Sequence, residues 1–433
     1  MKQMEADVLI IGKGMAGLSA AREAAKLGLS VLVVGRGCGA TAMSSGAIDI
    51  AVPSGERGIR ELVNKNVNHP YSLIGKGNIN SALRKISASV KSFLDGMKSA
   101  GVPYKGSMKQ NMLLTNALGT GKSVTLCPAS MYPGDVSKMD NARMLFVGFR
   151  GFADFNPAFC SRSLFELGRS MDVGIKKCSY IYVDFPGMEG CDNIQSIEIA
   201  RGMDDAGAVT KLASLIENKN FTHMALPVMG IGNCEESARE LEDKTGAKAF
   251  EVLSLPPSVP GYRLQTALER CVENVQMING KVMRAEMRGE KNIREIKVEN
   301  CGEILRISPK TIVLATGKYI GGGLEGHDVL YETIFNLPTF DGAGKSVRNA
   351  KMSGMLCSEV LPESGHPVFS CGVMVDNKMH PLNGNHDIIF ENLFAAGSVL
   401  CGYDYTRDNC GLGVALATGC LAGVNAGKTA GER

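Results

Sequence analysis

The stretch Val8-Leu9-Ile10-Ile11-Gly12-Lys13-Gly14-Met15-Ala16-Gly17-Leu18-Ser19-Ala20-Ala21 runs from four apolar residues through a glycine turn into small residues suited to a closely packed helix. In such a strand-turn-helix unit the first glycine permits the tight turn, the second lets backbone approach a pyrophosphate, and the third lets helix and strand pack closely. The N–H groups at the helix start then face the phosphates, with the positive end of the helix dipole behind them. The flanks agree, because Ala16 to Leu27 reads as a helix and Leu29 to Val34 as the next strand. Gly12, Gly14, Met15, Ala16 and Gly17 are therefore expected to hold a dinucleotide-type cofactor.

About twenty residues further on, dinucleotide folds place an Asp or Glu that accepts from the ribose hydroxyls. Here the second strand ends in Gly35 and Arg36, and the carboxylate is missing. Two readings of Arg36 stand: it meets a phosphate, or it is a solvated cation at the strand end. Gly39 to Asp49 is small and hydroxyl-rich, and two readings stand: its Ser44, Ser45 and Gly46 approach a planar ring closely and hydrogen-bond its polar edge, or the segment is a Ser/Gly surface loop.

Composition narrows the class. With 433 residues and 44% apolar content the chain can bury a large core in two or three domains. A net charge of +3 with both signs interspersed gives no reason to expect nucleic acid, and no basic run suggests a membrane anchor. With the first strand beginning at Val8, no secretory leader is expected. The thirteen cysteines are scattered with no C-x-x-C pair, which disfavours iron–sulfur and structural zinc sites, so no metal is expected and reduced cytoplasmic thiols are.

Further along, Ile79 to Ala100 reads as a helix closed by Gly101-Val102-Pro103. Strands at 144–149, 180–183 and 223–228, with helices near 159–171, 206–218 and 235–245, form an α/β unit of their own. The proline-stiffened stretch 255–261 marks re-entry, followed by a helix from Arg263 to about Met277. Three short strands (281–288, 293–299, 304–308) then form a meander leading to the strand Thr311-Ile312-Val313-Leu314 and the turn Ala315-Thr316-Gly317. The pattern recurs in Asn392 to Ser398, with Gly397-Ser398 closing a strand, and in the uncharged small-residue helix from Gly411 to Gly427. That helix is too weakly apolar to span a membrane, and its start at Gly411-Leu412-Gly413 is expected to direct positive potential at the polar edge of the cofactor's ring.

These motifs carry a family resemblance over nearly the whole chain. With His69-Pro70-Tyr71-Ser72-Leu73, Leu255-Pro256-Pro257-Ser258-Val259, Gly321-Gly322-Gly323-Leu324 and Glu391 to Leu400, the sequence resembles the B subunits of anaerobic glycerol-3-phosphate dehydrogenases, within the fumarate reductase/succinate dehydrogenase flavoprotein superfamily. The resemblance implies a Rossmann-like FAD-binding domain with a central parallel sheet and β-meander, plus an inserted α/β domain. The expected division is 1–60, 61–261 and 262–433, the first and last parts binding flavin. It further implies oxidation of sn-glycerol 3-phosphate to dihydroxyacetone phosphate, electrons passed to a quinone, and partnership with a homologous flavoprotein A subunit and a membrane-associated iron–sulfur C subunit. The glycine turn favours FAD; the family is usually described with FMN, which stays as the alternative.

Alcohol oxidation needs a base for the hydroxyl proton, and a phosphorylated substrate needs cations. The residues nominated are His366 and Arg407, with Lys318 and Arg263 as secondary phosphate ligands. The alternative is a flavin subunit that relays electrons or serves as a scaffold without turning over substrate, or an oxidoreductase of the fumarate-reductase type with another substrate.

Overall fold

The computed structural model describes residues 2–216 and 220–432. Two compact units emerge: Met1–Thr41, Asp49–Gly101 and Gln265–Arg433 form the first, and Ala42–Ile48 with Val102–Leu264 the second.

In the first unit the opening strand Lys2–Ile11 lies centrally, with the parallel strands Val31–Gly35 and then Gln276–Asn279 on one side and Glu303–Leu314 on the other. The strands Lys281–Arg288 and Asn292–Asn300 make the expected antiparallel meander against the first half of Glu303–Leu314, while Leu393–Ala395 pairs in parallel with its last residues. What reads in sequence as two strands is thus one. Pro309 falls between the two stretches paired on that side, where its missing N–H costs no ladder bond.

The opening helix, Met15–Ala25, packs on the terminal helix, Gly411–Glu432. A Cβ at Gly419 or Gly423 would overlap the backbone of Ala16 or Ala20, and one at Gly427 would meet Leu27 at 2.6 Å. The small-residue composition of the terminal helix is therefore a close helix–helix contact. Among the described residues no helix is long and apolar enough to cross a membrane.

The helix Ile79–Ser99 buries Ala82, Ile86, Val90, Phe93 and Met97, one face at helical spacing. It belongs to the first unit, because the Arg22 guanidinium donates to Ser92 Oγ at 2.6 Å and lies over Gly96. The sequence pattern alone assigns residues 61–101 to the insertion, and the fold corrects this. A second difference lies at Val259–Arg270, where the helix ends earlier than the apolar spacing of Leu264, Leu268 and Val272 suggests, and Gln276–Asn279 becomes an edge strand.

The second unit holds a four-stranded parallel sheet in the order Lys248–Glu251, His223–Leu226, Ala142–Phe149, Ile175–Val183. Phe146, Phe149, Phe185, Met224, Leu241 and Phe250 fill its core. Its helices include Pro157–Ser170, Ala206–Leu215 and Cys234–Thr245. The end expected for the middle helix, 217–218, lies outside the described residues.

Candidate functional site

Three glycine turns at the ends of parallel strands meet in the first unit. Gly12 has φ +120°, and a Cβ there would overlap the carbonyl oxygen of Ala315; a Cβ at Gly17 would overlap that of Gly12. Both positions are glycine because the protein's own backbone occupies the space. Gly14 differs. It is the N-cap of Met15–Ala25 with φ −81°, and a Cβ there would meet only Thr41 Oγ1, at 3.4 Å. Neither packing nor backbone conformation demands glycine at that position.

Met15 N–H donates to Thr41 Oγ1 at 2.9 Å, and no side chain of the N-cap residue bonds the helix start. Ala16 packs closely on Gly397, whose φ is +81° and whose N–H donates to Thr418 Oγ1 at 2.9 Å. Gly317 (φ +78°) lies beside Ser398 Oγ, and the Gly321-Gly322-Gly323 loop folds back over Thr316 and Gly317 with no room for side chains at Gly321 or Gly323. Among the described residues the buried Thr316 hydroxyl has no hydrogen-bond partner. An uncrowded Gly14, a helix start whose Met15 N–H meets a neutral hydroxyl and, among the described residues, a buried hydroxyl without a partner fit the diphosphate of a dinucleotide cofactor.

At the other end of the turn Gly35 is buried, and a Cβ there would stand 2.6 Å from Lys13 Cγ. The place of the usual ribose carboxylate is thus covered by a lysine stem, with Arg36 exposed beyond it. Gln265 holds this edge by donating to Lys13 O at 2.8 Å.

The terminal helix start is only partly open. Gly413 N–H donates to Asp49 O at 3.1 Å, and a Cβ on it would stand 2.6 Å from Tyr71 Oη. Gly413 thus serves packing, which leaves Gly411 and Leu412 as the half-buried residues at that end. Ser44, Ser45 and Gly46 belong to the second unit. There Gly46, at φ +79°, sits against Pro260, and its carbonyl accepts from Tyr104 Oη at 2.6 Å.

His366 and Arg407 meet on one loop. His366 Nδ1 accepts from Cys357 N–H at 3.0 Å and Nε2 stands 3.1 Å from Val360 O, so both ring nitrogens hold residues 357–366 in place. Arg407 donates to Ser364 O at 2.7 Å and contacts Asp408 at 3.5 Å. Arg263 is not a phosphate ligand: it is 2% exposed, and it is paired with Glu251 Oε2 at 2.5 Å and bonded to Gly230 O at 2.5 Å. A buried pair of this kind is a structural clamp, and breaking it strands a charge.

Sequence reasoning passes over a buried polar cluster at the entry to the terminal helix. His69 Nδ1 accepts from Tyr71 N–H at 3.1 Å, which leaves Nε2–H facing Cys410 Sγ at 3.9 Å. Asp408 completes a trio whose ligand-type atoms lie within 4.8 Å of one another. Burial drives His69 down to about 3 and pushes the Cys410 thiol well up, so imidazole and thiol are both neutral. The His-Pro-Tyr motif is the only signal of this cluster in the sequence.

Residues 7–414 match the family described as FAD binding domain, and the chain belongs to it. It is a flavin-dependent oxidoreductase with FAD as cofactor. Among individual proteins it is similar to the B subunit of anaerobic glycerol-3-phosphate dehydrogenase from Vibrio cholerae serotype O1, 29% identical over 435 residues that cover 96% of this chain and 95% of the relative. The protein of the same name from Aliivibrio fischeri is 26% identical over 445 residues, covering 96% and 94%. A solved quinol fumarate reductase from E. coli superposes with a TM-score of 0.44 at 11% identity, covering 100% of this chain and 71% of that one.

Proposed function

We propose that the chain is the flavin-carrying B subunit of a glycerol-3-phosphate dehydrogenase, in which sn-glycerol 3-phosphate becomes dihydroxyacetone phosphate. The observation that carries the reading is the end-to-end likeness to the Vibrio cholerae dehydrogenase chain, together with a glycine turn left open for a diphosphate. FAD, when bound, supplies a two-electron acceptor for the hydride from the secondary carbon, while the hydroxyl proton passes to a base. On this reading Gly12, Gly14, Met15, Ala16 and Gly17 hold the diphosphate through backbone N–H groups. Ala315, Thr316, Gly317, Gly397 and Ser398 line the cofactor, and Gly411 and Leu412 add the positive end of a helix dipole. Gly35 and Arg36 border the adenosine end. A homologous A subunit and a membrane-associated C subunit with iron–sulfur centres carry the electrons to a quinone.

A specific observation favours a second reading, in which this flavin relays electrons without turning over substrate: both nitrogens of His366 are engaged by backbone. Anaerobic addition of glycerol 3-phosphate to the isolated FAD-loaded chain separates the two. Bleaching of the flavin supports direct oxidation. Full occupancy without bleaching sinks it and favours the relay, and a complex rebuilt with flavin-free chain that still transfers electrons normally sinks the relay.

A further inference from the structure

One buried cation in the first unit has no carboxylate counterpart among the described residues. Lys318 directly follows the Ala315-Thr316-Gly317 turn and is 3% exposed. Its ammonium donates to Phe369 O at 2.6 Å and stands 5.6 Å from the centre of the Tyr403 ring. Tyr403 is itself 2% exposed, and among the described residues its hydroxyl has no hydrogen-bond partner. Among the described residues no carboxylate pairs with Lys318. Asp404, the acidic group that acts on it, turns Oδ1 to the N–H and hydroxyl of Thr406 at 2.9 and 2.6 Å. Lysines are almost never fully buried unless paired, because an isolated ammonium loses its hydration without compensation. A charge held in that state is stabilised when a negative charge forms nearby.

We infer that Lys318 tunes the flavin: an unpaired cation behind the Gly317 turn that favours the negatively charged reduced cofactor. The inference rests on assigning that turn to FAD. Other positive sources are weaker candidates for this role. Gly413 N–H is occupied by Asp49, Asp404 and Asp408 stand at the start of the terminal helix, Arg407 is turned to Ser364, and Lys13 and Arg36 border the adenosine end. The groups facing Lys318 from the packed elements are the thiols of Cys371 and Cys401, the Tyr403 ring and Asp404. Burial lowers Lys318 to about 8, against the opposing pull of Cys401, Cys371 and Asp404, so it is charged at neutral pH. Lys318 acts through the field and exchanges no proton with substrate. It is a positioning residue in the electrostatic sense.

The test is the midpoint potential of the FAD-loaded chain, measured by dye equilibration. Lys318→Met should shift the reduced-to-oxidised ratio at fixed dye potential about tenfold toward oxidised, ~30 mV for a two-electron couple. The melting temperature should stay level or rise, because a desolvated charge is removed. The wild-type potential should fall more steeply with pH above about 8, a feature absent from the variant. A merely structural lysine predicts the reverse: a lower melting temperature and an unchanged potential, which overturns the inference. If Lys318→Met does not fold, a wild-type pH series without the steepening overturns it alone. Wild-type chain that retains no FAD instead breaks the site assignment on which the inference rests.

Discussion

Each unit contains a glycine turn leading from a parallel strand into a helix, and the two turns have opposite fates. In the second unit the turn Gly230-Ile231-Gly232-Asn233 opens the helix Cys234–Thr245, and the N–H groups of Ile231, Gly232 and Asn233 all donate to the Asp204 carboxylate, at 3.1, 3.1 and 2.9 Å. In the first unit Gly12 to Gly17 opens Met15–Ala25, and its side-chain acceptor is the neutral hydroxyl of Thr41. Backbone N–H groups in such a turn form an anion-binding concavity wherever they occur. Whether the turn takes a ligand depends on whether the chain supplies its own carboxylate. The second turn is plugged and the first is left open.

The largest effect is expected at Gly12. Gly12→Ala forces a positive-φ residue into the Ala315 carbonyl, so the first unit should lose ~3 kcal/mol or more, seen as loss of the cooperative thermal transition. Gly14→Val should leave the melting of the cofactor-free chain unchanged while the FAD-to-protein ratio after purification falls from near one to near zero. Wild-type FAD content in that variant would show that the open turn is not the phosphate site. Acid should weaken the first unit selectively. Burial holds folded His69 near 3, whereas the unfolded chain protonates near 6.5; the stability linked to neutral His69 is complete above about pH 6.5 and lost as pH falls toward 3. The expected loss is about 3 kcal/mol by pH 4 from this linkage, and it should vanish in His69→Gln. The smallest effect belongs to Asp204→Ala, which should cost ~2 kcal/mol by stranding three N–H groups, leave FAD content unchanged, and make melting of the second unit respond to inorganic phosphate, a response expected to be absent in the wild type.

What is legible in the sequence is local and covalent. A glycine that must adopt positive φ or yield space to backbone, as at Gly12, Gly317 and Gly397, announces itself in a strand-turn-helix pattern, and the three such turns do converge. The β-meander and the parallel core strands are readable for the same reason, because side-chain period and turn residues are properties of short stretches. What escapes the sequence depends on distant partners. Arg263 reads as a free cation until Glu251, Gly230 and Ser130 close around it. The strands Lys248–Glu251 and Gln276–Asn279 are too short for periodicity, and neighbouring strands define them. Residues 61–101 look like the start of an insertion because nothing local records that Asn66 donates to Gly342 O and Gly402 O. His366 looks available for a different reason: its partners, Cys357 N–H and Val360 O, are only nine and six residues away, but they meet the ring through an irregular loop that has no sequence period to read.

The contact between the opening and terminal helices has a consequence for the order of synthesis. Ala16 and Ala20 emerge from the ribosome with the glycine turn, yet the surfaces that cover them, Gly419 and Gly423, are translated hundreds of residues later. The turn can form early, but its helix stays uncovered until Gly411–Glu432 has been made. A nascent or truncated chain ending before Gly411 should therefore expose the small apolar stripe of Met15–Ala25 that Gly419 and Gly423 cover in the mature protein, a ready site for self-association.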